Sequence, residues 1–133
     1  MASAFFDTNV VLYLVGSDAA KADRAEALLT GGGVVSVQVL SEFVSVALRK
    51  QRMAWIRIED TLAVLRSLCR VEPLTVESHE TALRLARDHN FSFYDAMIVA
   101  SALGAGCDVL YSEDLQHGRR VDRRLTINNP FRV

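Results

Sequence analysis

The feature that most constrains this chain is an alternation. Apolar runs of two to four residues are separated by segments whose apolar side chains recur at helical spacing. Residues 4–6, 34–35, 109–111 and 125–127 are too short for helices and too apolar for loops, so they predict buried strands. Between them, residues 10–15, a segment opened by Ser17-Asp18 and stopped by Gly31-Gly32-Gly33, and residues 38–50, 56–70, 76–89 and 94–105 predict helices. Residues 71–74 give at most an edge strand, because Pro73 cannot donate to a ladder. Strands that alternate with helices predict an α/β fold with a parallel central sheet and helices on both faces. With no repeat, low-complexity tract or linker in 133 residues, the expectation is one domain spanning 1–133.

Composition removes several classes. The net charge is -1, so any nucleic-acid contact must use a local basic patch rather than a global field. The two cysteines, Cys69 and Cys107, have no metal-type spacing and suggest reduced, buried thiols in a cytoplasmic protein. His79, His89 and His117 join no cysteine cluster that would hold zinc. The first seven residues lack a basic leader pattern, and no apolar run is long enough for a bilayer, so no membrane is expected.

In a parallel α/β sheet, ligands bind beyond the carboxyl ends of the strands. Acidic residues gather at those points. Asp7 ends the first strand, and Asp114 lies just past the strand at 109–111 with Glu113 beside it. Asp95 stands in the first turn of the helix opened by Ser92. Glu42 neighbours Val39 and Val46 on its helical wheel, at the edge of the buried face. Each acid has an ordinary explanation. Asp7 can cap a helix, Asp95 fits a capping-box pattern, Glu42 can reach out to water, and Asp114 can be a loop acid. Their joint placement points further. Converging carboxylates repel and raise one another's pKa, and a divalent cation removes that cost. Oxygen-only donors suit Mg2+ or Mn2+, whose chemistry on a phosphodiester is hydrolysis by in-line attack of water.

The same residues carry a family resemblance. Phe6-Asp7-Thr8-Asn9-Val10 resembles the opening signature of PIN domains, a strand followed by aspartate, Thr/Ser and often Asn. Val35-Ser36 through Ser41-Glu42-Phe43 is similar to their second element. Phe93-Tyr94-Asp95-Ala96-Met97-Ile98-Val99-Ala100 is similar to their third, and Tyr111-Ser112-Glu113-Asp114-Leu115 to their fourth. The motifs fall in family order over nearly the whole chain. The resemblance implies a PIN-like fold and a Mg2+-dependent endoribonuclease in which Mn2+ may substitute, with Asp7, Glu42, Asp95 and Asp114 as catalytic metal ligands. It further implies that Thr8 or Asn9 and Ser112 orient those ligands, with Glu113 able to replace or supplement Asp114. The small size resembles the VapC toxins of VapBC toxin–antitoxin systems, which implies a cytoplasmic homodimer, an RNA substrate and a cognate VapB-type antitoxin.

Arg119, Arg120, Arg123 and Arg124 follow the fourth acidic motif, and RNA-backbone contact is expected of them there; otherwise they are a solvated loop. Arg49, Lys50 and Arg52 form a second candidate patch. Trp55 and the phenylalanines read as core or interface residues rather than base-stacking platforms. The apolar helices near the N-terminus and over 56–68 suggest a homodimer or an antitoxin groove.

Three competing readings are weaker. A phosphatase with an aspartate nucleophile would need a second aspartate where Asn9 stands, and a receiver domain would need a late lysine, whereas the only lysines are Lys21 and Lys50. A catalytically inert PIN-like domain that binds RNA or serves a structural role would not need all four acids.

Overall fold

The computed structural model describes residues 3–132. Met1 and Ala2, with which the leader-free N-terminus was expected to begin, and Val133 lie outside the described residues. The apolar triplet Ala4–Phe6 forms β1, which lies inside a six-stranded sheet. The other strands are β2 (Gly33–Ser36), β3 (Cys69–Glu72), β4 (Val109–Tyr111), β5 (Arg120–Val121) and β6 (Leu125–Asn128). Their order across the sheet is β3-β2-β1-β4-β6-β5. Phe5 pairs with Val34 on one side, and Phe6 pairs with Tyr111 on the other, both in parallel register. β4 and β6 are also parallel, with Tyr111 opposite Asn128.

Six helices connect and cover the sheet in the described residues: α1 (Thr8–Tyr13), α2 (Ala19–Thr30), α3 (Val37–Arg49), α4 (Trp55–Leu68), α5 (Val76–His89) and α6 (Phe93–Gly104). The crossovers from β1 to β2 and from β2 to β3 step in one direction, while the crossover from β3 returns past β2 and β1 to β4. Parallel crossovers are right-handed, so this reversal puts α1–α4 and α5–α6 on opposite faces. It also makes the gap between the carboxyl ends of β1 and β4 the switch point of the sheet, where a crevice opens. Helix starts follow the expected caps. Asp18 accepts from Lys21 N at 3.1 Å, Ser36 from Val39 N at 3.4 Å, and Ser92 from Asp95 N at 3.3 Å.

The core is built from the residues whose periodicity announced it. Phe5, Val10, Val35, Phe43, Leu85, Leu110 and Ile127 are fully buried. α6 is apolar nearly all round, and Ala96 and Ile98 through Leu103 are buried accordingly.

Two departures from the sequence reading have local causes. β3 starts at Cys69, two residues earlier than expected, and pairs only with β2, as an edge strand stopped by Pro73 can. The second departure is β5, which runs antiparallel to β6 inside what reads as an arginine-rich loop. Its two residues are too few to show any period. The turn places Asp122 (φ 52) and Arg123 (φ 59) in the left-handed region, as tight hairpin turns require, without the glycine or asparagine that usually signals one. The Asp122 carboxylate is held by Arg84 at 2.7 Å.

Gly33 marks the closest approach of β2 to β1. A methyl group there would meet Ala4 O at 2.6 Å and the Phe6 ring at 2.5 Å, and its φ of +158 is uncommon for other residues. Gly33→Ala is therefore expected to destabilise the protein by about 1–3 kcal/mol through overpacking, read as a lowered thermal midpoint. An unchanged midpoint would mean that β1 and β2 can separate freely.

Candidate active site

Asp7 is both a cap and a site residue. As the strand ends, its Oδ1 accepts from Thr8 N at 2.7 Å and starts α1. Its Oδ2 accepts from Ser112 Oγ at 2.8 Å, with Asn9 Nδ2 further off at 3.4 Å. The residue is 7% exposed. Burial pushes its pKa up to about 6, the bonds from Ser112 and Thr8 oppose that rise, and the charges of Asp114 and Glu42 add to it.

The other acids arrive from three further elements. Glu42, in the second turn of α3, accepts from Thr8 Oγ1 at 2.6 Å on one oxygen and from Gln38 Nε2 at 3.4 Å on the other. Asp114 follows β4 and accepts from Asn9 Nδ2 at 3.1 Å. Ser112 is fully buried, and its Oγ also accepts from the N–H groups of Asp114 and Leu115, both at 3.2 Å. That turn carries Asp114 over the switch point. Asp95 lies in the first turn of α6, where its N–H, not its carboxylate, is bonded to Ser92. The capping-box pattern is thus only half used, and no hydrogen bond occupies the Asp95 carboxylate among the described residues.

All four acids line one cleft of about 540 Å³, together with Thr8, Asn9, Leu12, Val46, Arg49, Lys50, Tyr94 and Ile98. Thr8 donates to Glu42, Asn9 to Asp114 and Ser112 to Asp7. The donor set suits a hard divalent cation. It is all oxygen, and it includes a buried carboxyl whose ionised form is opposed by two neighbouring carboxylates. Among the described residues, no three acidic, His or Cys side chains already stand close enough together to hold an ion. The carboxylates share the cleft, and three of them are turned toward hydroxyl, amide or backbone donors. A second depression of about 500 Å³ lies between β3, α5 and α6, but its Arg84 is committed to Asp122.

Several expectations are corrected. Glu113 does not share the site through its carboxylate, which pairs with Lys21 Nζ at 2.7 Å and accepts from the Tyr13 hydroxyl. Only its backbone N–H contributes, donating to Asn9 Oδ1 at 3.1 Å. Arg119, Arg120, Arg123 and Arg124 do not line the cleft. The β5–β6 turn lies before Leu125, at the amino ends of the parallel strands, and so carries Arg123 and Arg124 to the opposite end of the sheet from Asp7. Arg119 instead bonds the carbonyl of His89 and stacks over Phe91 at 4.2 Å, while Arg120 bonds the carbonyl of Arg123. The cations at the cleft are Arg49 and Lys50, from the second patch, without Arg52. His117 accepts from Asn129 N at 2.9 Å, a structural use. Gln38 and Tyr94 were missed. Gln38 is four residues before Glu42, a helical neighbour spacing that could have found it; its Nε2 also donates to Tyr94 O at 3.1 Å and ties α3 to α6.

With this geometry in place, the family match is specific in extent. Residues 4–123 match the PIN domain, a span holding all four acids. The chain belongs to the PIN domain family. Solved structures agree on the fold. A toxin–antitoxin complex from Klebsiella pneumoniae is similar with a TM-score of 0.73 at 20% identity, covering 98% of this chain and 100% of that one. VapC20 of Mycobacterium tuberculosis, described as a toxin that cleaves the sarcin–ricin loop, is similar with a TM-score of 0.69 at 24% identity, covering 84% of this chain and 90% of that one. DNA-bound VapBC from Salmonella typhimurium is similar with a TM-score of 0.66 at 21% identity, covering 98% and 99%. Among proteins of curated function, none matches this chain. At these identities the structural likeness speaks for the PIN fold alone.

Proposed function

We propose that this PIN domain is a metal-dependent endoribonuclease and the toxin half of a VapBC-type toxin–antitoxin pair. One observation carries the reading: four carboxylates from four separate elements line one cleft at the switch point of the sheet. Asp7, Glu42, Asp95 and Asp114 would hold the ion, Mg2+ or Mn2+. Bound there, it supplies Lewis acidity toward a phosphate of the RNA. Thr8, Asn9 and Ser112 would fix the positions of the Glu42, Asp114 and Asp7 carboxylates through the bonds at 2.6, 3.1 and 2.8 Å. Arg49 and Lys50, exposed on the cleft wall, hold phosphates beside the one attacked. Water then displaces one ester oxygen, and the strand is cut.

A VapB-type antitoxin and a second copy of the chain are the proposed protein partners. The similarity to solved toxin–antitoxin complexes, one of them a VapBC, supports this, as do the exposed Trp55, Ile56 and Val64 on α4. No helix among the described residues is long and apolar enough to cross a membrane, and action in the cytoplasm, where RNA is at hand, fits the reading.

Glu113 and Asp114 separate cleanly. Asp114→Asn is expected to lower cleavage about 10- to 100-fold or more, as loss of a metal-site residue does. Glu113→Gln leaves cleavage unaltered, because its carboxylate faces Lys21. Equal losses would mean that both carboxylates serve the metal. Titration calorimetry with Mn2+ tests the site itself. Uptake by the wild type that weakens in Asp95→Asn supports the reading. No uptake of Mn2+ or Mg2+ favours an inert PIN-like domain that binds RNA or serves a structural role.

A further inference from the structure

The cleft is not acidic throughout. Leu12, Val46 and Ile98 line it alongside the carboxylates, and Tyr94 stands at its edge. Tyr94 is 67% exposed. Of the two large aromatic side chains left exposed among the described residues, Tyr94 and Trp55, only Tyr94 lines the cleft. Exposing a tyrosine to this extent forfeits most of the gain from burying its ring. Its position is nevertheless firmly set. The ring meets Phe93 edge to face, with centroids 6.1 Å apart at 73°, and Phe93 in turn meets His79. Gln38 holds the Tyr94 carbonyl at 3.1 Å. The result is a supported ring with a free face, one residue from Asp95. Arg49 and Lys50 add two exposed cations to the same cleft.

An aromatic face, apolar lining, carboxylates and cations in one cleft match the parts of a nucleotide with its base turned out. We propose that Tyr94 is a stacking shelf for one unpaired nucleobase next to the cut phosphate. The proposal rests on the nuclease reading and deepens it by assigning the residue that holds that base. A duplex cannot use the shelf, because its bases stack on one another and the A-form major groove is too narrow for side chains to enter. Stacking on an aromatic ring tolerates any base, so Tyr94 selects strandedness rather than sequence. Arg49 and Lys50 supply the complementary, salt-dependent contact to the backbone.

The test uses the full chain in an Asp7→Asn background, so that RNA stays intact in Mg2+. Binding is read by fluorescence anisotropy with a labelled, unstructured ten-nucleotide RNA and with the same strand in a duplex. Tyr94→Ala is expected to weaken single-strand binding roughly 5- to 100-fold, the loss of one base stack, and to leave duplex binding and the salt dependence unchanged. Tyr94→Phe recovers most of the affinity, since the ring rather than the hydroxyl does the stacking. Arg49→Ala lowers the salt dependence on both probes, which separates charge from stacking. Equal losses on single strand and duplex, or no loss on either, overturn the assignment. An unchanged RNA affinity with a shift in self-association of the chain would place Tyr94 in a protein interface instead. Wild-type protein that neither binds nor cuts any RNA would remove the nuclease reading and this assignment with it, whereas wild-type cutting with an indifferent Tyr94→Ala removes this assignment alone.

Discussion

Asp7→Asn is expected to cut RNA at least about 100-fold more slowly than the wild type, because it removes the buried carboxylate of the cleft that is proposed to hold the metal. The same variant should fold well and be more stable than the wild type when no metal is present. The reason is the burial of Asp7. Its carboxyl titrates at about 6 in the fold, against an ordinary 3.8, chiefly because burial penalises the charged form. The folded state therefore binds this proton more tightly than the unfolded chain. The associated stability is fully present below pH 3.8, falls as pH rises, and is gone above about 6, a change of about 3 kcal/mol. Asparagine has no charge to bury. Unfolding curves in EDTA should show the variant ahead of the wild type at pH 8 and the gap closing toward pH 4. Added Mg2+ should stabilise the wild type at pH 8 and do little for the variant. A variant that is less stable at pH 8 would mean that the hydrogen bonds from Ser112 and Thr8 outweigh the desolvation.

Phe43→Ala is expected to destabilise the protein by about 3–5 kcal/mol, a large share of the total stability of a small domain. Phe43 is fully buried on the inner face of α3, and the residue before it is Glu42. The cavity left by the ring removes both apolar burial and the anchor that sets the height of Glu42 over the sheet. Thermal unfolding followed by circular dichroism should show a midpoint lowered by about 10 °C or more. Activity should fall with the folded fraction. Asp7→Asn differs in kind, since it should lose activity with its fold intact. A Phe43→Ala protein that melts like the wild type would mean that α3 packs differently.

Most of the fold was legible because its signals are local. The run at Ala4–Phe6, the caps at Asp18, Ser36 and Ser92, and the apolar stripe of α3 each specify an element without help from distant residues. The four acids were legible for a related reason. Asp7 and Asp114 follow strand ends, and Asp95 opens a helix, so the topology of a parallel sheet brings them to one rim.

What escaped depends on geometry that no spacing records. Glu113 and Asp114 are adjacent and chemically alike. The buried Ser112 hydroxyl shapes the turn that sends one toward Lys21 and the other toward Asn9. The arginines of 119–124 sit close to Asp114 in sequence. However, a two-residue strand and a turn with two left-handed residues carry Arg123 and Arg124 to the far end of the sheet. Arg49 and Lys50 are far from most of the acids in sequence, yet α3 brings them to the cleft along with Glu42.

The most direct measurement is cleavage of total cellular RNA by the purified chain in Mg2+, in Mn2+ and in EDTA, with Asp7→Asn alongside. Discrete fragments are expected in either metal, with none in EDTA and none from the variant. Intact RNA under both metals, from protein shown to carry no bound inhibitor, would rule out metal-dependent cleavage by this chain.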